Sequence, residues 1–278
     1  MIVWLASYPK SGNTLLRSIL STYFYSPDGI YNFDYTYMIE QFPTRRHFEK
    51  FGIDSTNEHL VFKNFIKVQE MINNENKKIK FLKTHSQYFH NGDFKFTNGK
   101  NSLCAIYIVR DPRNVIKSYS HHSGLDLQYI YDAMIDKERC TVLTEKHCKN
   151  FIGSWGSNYN SWKSLGKKVF IVKYEDLILK KKTTLLKIFK FLQNFGFDVS
   201  KLDMSKLNKT IKTTEFEKMK ELEKKKNFIE SQFHPETGER IPFFNLGPKN
   251  DWRKNLDDKF RIKIENSFKK EMEELGYL

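Results

Sequence analysis

Ser7-Tyr8-Pro9-Lys10-Ser11-Gly12-Asn13-Thr14 follows the apolar run Ile2-Val3-Trp4-Leu5-Ala6 and precedes Leu15, Leu16, Ile19, Leu20 and Tyr23 at helical spacing. That order predicts a buried strand over 2–6, a turn, and a helix over 13–24. Gly12 permits close backbone approach, and successive N–H groups at a helix N-terminus make a nest for an anion. Ser11, Asn13 and Thr14 add side-chain donors, and Lys10 can reach the far side of the anion. The usual nucleotide-binding loop ends Gly-Lys-Ser/Thr, with its lysine on the outer phosphates and its hydroxyl on magnesium. Here the run is Gly12-Asn13-Thr14, and the lysine comes two residues before the glycine. The plainer alternative is an ordinary strand-to-helix turn with a chance lysine.

Working outward, further strands are expected at 78–82 (KIKFL), 103–109 (LCAIYIV) and 168–174 (KVFIVKY). Pro112 suits the first turn of a helix, where its missing N–H costs nothing. Helical patterns follow at 183–195 and at 256–275, the latter amphipathic through Phe260, Ile264, Phe268 and Met272. Strands separated by helices imply parallel crossovers, hence an α/β fold. The expectation is a mostly parallel central sheet with helices on both faces, similar to the P-loop NTPase architecture. No repeat or linker divides the chain, so 1–278 is read as a single domain. Ligands of such sheets bind at the carboxyl ends of the strands, and each motif below falls just after one.

Lys83-Thr84-His85 follows the second strand. A histidine is the natural proton acceptor for an alcohol or phenol at neutral pH, and Lys83 beside it can stabilise developing negative charge. Taken singly, such a histidine is more often structural. After the third strand comes 110-RDPRNVIKSYS-120, in which Arg110 offers a fork for a phosphate and Ser118 a short hydroxyl. The alternative for Arg110 is a salt bridge to Asp111 or another neighbour.

Together these motifs resemble the cytosolic-type sulfotransferases, which use 3′-phosphoadenosine 5′-phosphosulfate (PAPS). Their TYPKSGTTW-like loop is matched by ASYPKSGNTL, their KTH by Lys83-Thr84-His85, and their Arg…Ser pair by Arg110 and Ser118. Their YED segment is Tyr174-Glu175-Asp176, and their T-x-F-x-x-M-K stretch runs from Thr214 to Lys220. Their C-terminal PFxRKGxxGDWK is similar to 242-PFFNLGPKNDWR-253, so the likeness runs from about residue 2 to 256. The resemblance implies that Lys10, Ser11, Gly12, Asn13 and Thr14 bind the 5′-phosphosulfate, with Lys10 near the bridging oxygen. It implies Arg110 and Ser118 on the 3′-phosphate, and Tyr174, Thr214 and Phe216 along adenine and ribose. Gly247 is the retained glycine of the last motif. His85 would take the acceptor proton, with Lys83 supporting the transferring group. The product would be PAP, and no metal is expected.

Departures qualify the match. Leu15 replaces the tryptophan that stacks on adenine in the family, and Asn245 and Leu246 replace an Arg-Lys pair expected near the 3′-phosphate. Lys249 or Arg253 could compensate for the lost charge. The family's dimer sequence is not visible, which leaves the oligomeric state open.

The opening loop now has a rationale. A sulfuryl group carries less charge than a terminal phosphoryl group, so no magnesium clamp is needed. What the reaction needs is a cation at the bridging oxygen as the sulfur–oxygen bond breaks, and Lys10 is placed for that. The rival enzyme is a P-loop kinase of a small molecule or nucleotide, which would need a lysine at position 13.

Lys and Arg exceed Asp and Glu by 47 to 33, giving +14. These charges are spread over the whole chain without a basic–aromatic stripe, so a specific nucleic-acid partner is not expected. Three cysteines without a CxxC pair fit a reducing compartment. With no signal pattern and no apolar run long enough for a bilayer, a soluble cytoplasmic enzyme acting on a small-molecule acceptor is expected. Residues 23–37 are dense in aromatics and either wall the acceptor pocket or pack on the sheet. Segments 121–145 and 221–245 are expected as covers.

Overall fold

The computed structural model describes residues 1–76, 79–92 and 94–278. Its centre is a four-stranded sheet of β1 (Ile2–Ser7), β2 (Lys80–Thr84), β3 (Ser102–Val109) and β4 (Val169–Lys173), in the order β2-β1-β3-β4. Every pairing is parallel. The fold class is therefore the expected α/β one, a parallel sheet between helical layers.

Alternation along β1 and β3 explains why both faces are covered. Ile2, Trp4, Ala6, Ala105, Tyr107 and Val109 face one apolar layer, with residues of the helices Phe65–Asn76, Trp155–Lys163 and Asp258–Ser267. Val3, Leu5, Cys104, Ile106 and Ile108 face the other, with the helices Asn13–Tyr25 and Lys181–Gln193. A strand with no polar face must be central, as a continuous apolar run requires. From β1 the chain crosses to β2 on one side and later to β3 on the other. The loop after β1 thus lies where the strand order reverses, the position at which such sheets open a crevice for ligands.

Four expectations are adjusted. The second strand lies at Lys80–Thr84 rather than 78–82, and position 78 lies outside the described residues. The shift places His85 directly beyond the strand. The helix expected over 183–195 runs Lys181–Gln193, and Tyr174 opens a short helix instead of ending β4. The C-terminal helix is broken into Asp258–Ser267 and Lys269–Glu274. At the break Phe268 leaves helical geometry (φ −122°, ψ 22°) and its ring packs 5.1 Å from Trp155, so core packing wins over the regular repeat.

The aromatic segment 23–37 divides among three environments. Tyr23 lies 5.3 Å from Phe189 in the helical layer, whereas Tyr31 and Phe33 join Met219, Phe228 and Phe244 in a separate cluster. Of its tyrosines and phenylalanines, Tyr37 is the one that reaches the cavity described below. Packing accounts for most of the segment. The three cysteines are unpaired, and among the described residues no helix is long and apolar enough to cross a membrane.

Candidate active site

The carboxyl ends of β1, β2 and β3 open into a cavity of about 710 Å³. Its wall includes Lys10, Gly12, Asn13, Thr14, Lys83, His85, Arg110, Ser118, Tyr174, Phe216 and Gly247. Residues up to 237 positions apart in the chain, from Lys10 to Gly247, are thus brought to one crevice.

The turn after β1 is shaped by two residues with left-handed backbone, Lys10 (φ 63°) and Gly12 (φ 100°). A Cβ on Gly12 would come within 2.4 Å of the Tyr174 ring, so only glycine lets the nest and that ring approach. Asn13, though on the wall, gives its amide nitrogen to the Leu5 carbonyl at 2.9 Å and to Ser7 Oγ at 3.1 Å. This ties the helix start to β1, and it is not the posture of a lysine reaching for phosphates. Ser11 Oγ is buried without a partner, as is Asn13 Oδ1. Buried polar atoms are rarely left unpaired, and the Ser11 hydroxyl is free to donate. Lys10 sends its ammonium over the Phe243 ring at 4.0 Å. Burial, with Lys83 and Arg110 adding to it against Glu230, lowers its pKa to about 7.

His85 stands at the end of β2, and its Nδ1 lies 2.8 Å from the Ser7 carbonyl oxygen. A carbonyl can only accept, so Nδ1 carries the proton and Nε2 keeps its lone pair. Burial first, then the charge of Lys83, lowers the imidazole pKa to about 3, which keeps it neutral. Asn158 Nδ2 donates to the His85 carbonyl at 3.1 Å and to that of Ile152 at 2.8 Å, fixing the loop that carries the ring.

Arg110 does not bridge to Asp111. That carboxylate is the side-chain cap of the helix Pro112–Ser123 and is gripped by Arg113 at 2.7 Å, so it is also committed away from any magnesium role. The Arg110 guanidinium lies 4.2 Å from the centre of the Tyr174 ring and donates to the Lys10 carbonyl at 3.2 Å. Its Nε has no partner. A buried cation with free donor capacity, stacked on a ring and facing a cavity, is arranged to take an anion.

Not every expected residue reaches the wall. Thr214 is fully buried and its hydroxyl donates to the Thr210 carbonyl at 2.7 Å, while Ser11 lies just behind the lining. Lys249 pairs with Glu217 at 3.6 Å and Arg253 with Asp251 at 3.4 Å, and neither lines the cavity. Lys117 and Lys181 do line it. Gly247 earns its place by contact: a Cβ there would fall 2.3 Å from the Phe216 ring.

Two residues missed in the sequence complete the site. Glu230 Oε1 accepts from Arg17 Nη1 at 2.6 Å and Lys83 Nζ at 3.1 Å, and Oε2 accepts from Thr14 Oγ1 at 2.9 Å. Burial opposes its charge, but Lys83 and Arg17 outweigh it and hold the carboxyl well below its usual range. The one available signal was Arg17 itself, a cation inside the apolar helical run 15–20. Glu230 carried none.

Comparison with known proteins agrees with this geometry. The family model described as "Sulfotransferase domain" matches residues 2–276. Curated relatives include luciferin sulfotransferase of Photinus pyralis, 23% identical over 95% of this chain and 70% of its own length. Flavonol 3-sulfotransferase of Flaveria bidentis is 24% identical over 95% of this chain and 79% of its own. Among solved structures, a mouse sulfotransferase complexed with PAP superposes with a TM-score of 0.60 at 20% identity, over 98% of this chain and 84% of that one. A retinol dehydratase complexed with androsterone and PAP gives 0.55 at 17% identity, over 98% and 80%. At these identities the superpositions speak for the fold.

Proposed function

This chain belongs to the sulfotransferase domain family, and from that premise we propose that it moves a sulfuryl group from PAPS to a hydroxyl or amine of a small-molecule acceptor, with His85 as base. One observation carries the proposal: the nest at 10–14, the lone pair of His85 and the unsatisfied guanidinium of Arg110 open into the same cavity. Relatives named for luciferin and flavonol, and a neighbour complexed with a steroid, support the small-molecule acceptor. The whole chain, 1–278, acts as one catalytic unit in this reading. Its unpaired cysteines suit the cytoplasm.

The residues present fit the donor. Ser11 Oγ and Arg110 Nε are unsatisfied, and the cleft between Gly12 and Tyr174 would be closed by a Cβ. Ser11 to Thr14 hold the 5′-phosphate side, Arg110 and Ser118 the 3′-phosphate, and Tyr174, Phe216 and Gly247 flank the base and ribose. Thr214 acts from behind, since its hydroxyl is already spent on Thr210. PAPS supplies an activated sulfuryl group when bound. His85 Nε2 accepts the acceptor proton, while Lys10 and Lys83 stabilise the negative charge that develops. Burial first and then the two lysines depress the imidazole pKa in this structure, and an anion held between the lysines would relieve their part of it. With its amide nitrogen given to Leu5 and Ser7, Asn13 offers no cation for the kinase alternative to use on an outer phosphate.

Two measurements test the reading. PAP should raise the melting temperature in proportion to its saturation of the protein, and magnesium ATP should not. Labelled PAPS incubated with phenols, amines, sugars and aliphatic alcohols should label at least one of them. A chain that binds magnesium ATP and ignores PAP is not a sulfotransferase.

A further inference from the structure

The cavity contains an anion belonging to the protein itself. The Glu230 carboxylate is coordinated by one hydroxyl and two cations, Thr14 at 2.9 Å, Lys83 at 3.1 Å and Arg17 at 2.6 Å. All three donors are rigidly placed. Thr14 and Arg17 lie on the first turns of the helix Asn13–Tyr25, Lys83 lies in β2, and the three are 8%, 4% and 5% exposed. Arg17 is pinned further by its Nε, which donates to the Ile39 carbonyl at 2.6 Å. Among the described residues Glu230 is its one carboxylate partner within salt-bridge distance. Thr14 and Lys83 are also two of the groups assigned above to the donor's charged end.

Glu230 itself sits on a short turn. It follows the helix Phe216–Lys225 and precedes the ribbon strand Gln232–Phe233, in a stretch with no regular structure of its own. Phe228 anchors that stretch in the aromatic cluster, and Ser231 Oγ holds Glu223 at 2.7 Å. Between these anchors only the turn of Ile229 and Glu230 would have to move, and Ile229 is 62% exposed. Such a movement unmakes no helix or strand.

We propose that the Glu230 carboxylate holds the place of the donor's transferring sulfuryl group, which assigns Arg17 to that subsite as a further anion-binding residue and makes withdrawal of Glu230 a step in donor binding. The inference rests on the donor reading above. Two anions cannot share a hydroxyl and two cations in a low-dielectric cleft without strong repulsion. One must leave, and of the two it is the carboxylate, carried on a turn outside any helix or strand, that can give way to the incoming ligand. When Glu230 withdraws, Arg17 stays where Ile39 holds it, and its charge passes from the carboxylate to the incoming anion. The carboxylate therefore shields three buried donors until the donor arrives, and it sets a threshold that other anions must also overcome.

Calorimetric titration with PAPS and with PAP, in the absence of acceptor, tests this on the wild-type chain, Glu230→Gln, Glu230→Asp and the double variant Glu230→Gln/Arg17→Met. Glu230→Gln should bind PAPS about tenfold more tightly than wild type, the scale of one charge-assisted hydrogen bond, with a smaller gain for PAP, which lacks the sulfuryl group. Glu230→Asp, too short to reach Thr14 and Lys83 together, should gain less. Adding Arg17→Met should abolish the gain. Melting temperatures recorded on each variant separate a folding defect from a binding effect, and Glu230→Asp preserves the charge should the glutamine variant prove unstable. PAPS affinity in Glu230→Gln equal to or weaker than wild type, with an unchanged melting temperature, overturns the proposal while leaving the donor reading intact. Failure of both wild type and Glu230→Gln to bind either nucleotide overturns the donor reading, and this proposal with it.

Discussion

The two walls of the cavity are made in different ways. The strand-end wall is local: Lys10 to Thr14 are consecutive, His85 follows β2 and Arg110 follows β3, each set by backbone that the sheet already fixes. The opposite wall is assembled from Phe216, Glu230, Phe243 and Gly247, which share no strand and meet through side-chain packing. The first wall presents donors whose positions cannot change without breaking the sheet. The second is held by side-chain packing between separate segments, with no sheet beneath it. A sheet-fixed wall faced by one built on side-chain packing suits an enzyme that must exclude water around a transferring group and then release a charged product.

Substitutions sharpen that contrast. The largest effect is expected from His85→Ala, which should lower turnover about a hundredfold with PAP affinity little changed. Near-normal turnover in that variant would remove the base. Lys10→Ala should do the same through charge stabilisation. Arg110→Met should weaken PAP binding by about tenfold to a hundredfold, the worth of charged hydrogen bonds to a phosphate. It should leave the affinity for adenosine 5′-phosphosulfate, without the 3′-phosphate, nearly unaltered. Equal losses for both nucleotides would place Arg110 elsewhere on the ligand.

Next come the two glycines, one on each wall. Gly12→Ala must relieve a 2.4 Å approach to Tyr174 at φ 100°, and should cost about 1–3 kcal/mol of folding stability as well as PAP affinity. Gly247→Ala meets Phe216 at 2.3 Å, but on the opposite wall. It should lower PAP affinity with a smaller change in melting temperature. A larger stability loss at Gly247 than at Gly12 would contradict the distinction between the sheet-fixed wall and the side-chain-packed one.

The pH prediction concerns His85. Its folded pKa, about 3, lies below the ordinary 6.5, so the unfolded chain binds more protons between those values. The associated stability is fully present above about pH 6.5 and fades as pH falls toward 3. His85→Gln should therefore flatten the loss of melting temperature across this range, and an imidazole resonance titrating near pH 6.5 would show the ring to be solvated. The smallest effect belongs to Lys249→Ala, an exposed ion-pair partner outside the cavity, where PAP affinity should not change.

The sequence exposed one wall far better than the other. The parallel strands, the turn at 10–14 and the placing of His85 and Arg110 just beyond strand ends were legible, because strand ends and turn residues carry their signal within a few positions. The tautomer of His85 was not, since it depends on the Ser7 carbonyl across two paired strands. The break at Phe268 could not be read from an amphipathic repeat that continues through it. Nor could the division of residues 23–37, whose tyrosines and phenylalanines are chemically alike but pack in different layers.

What the chain alone determined was the alternation that buries both faces of β1 and β3, the left-handed turn at Gly12 and the order of charged groups after the strands. Those follow from local sterics and from apolar periodicity, which act within a few residues. Only the tertiary structure decided that Glu230 meets Arg17 and Lys83, that Arg113 meets Glu265 and that Lys117 and Lys181 come to line the cavity. Ion pairs between distant segments depend on where packing leaves each charge, and no short-range pattern encodes that.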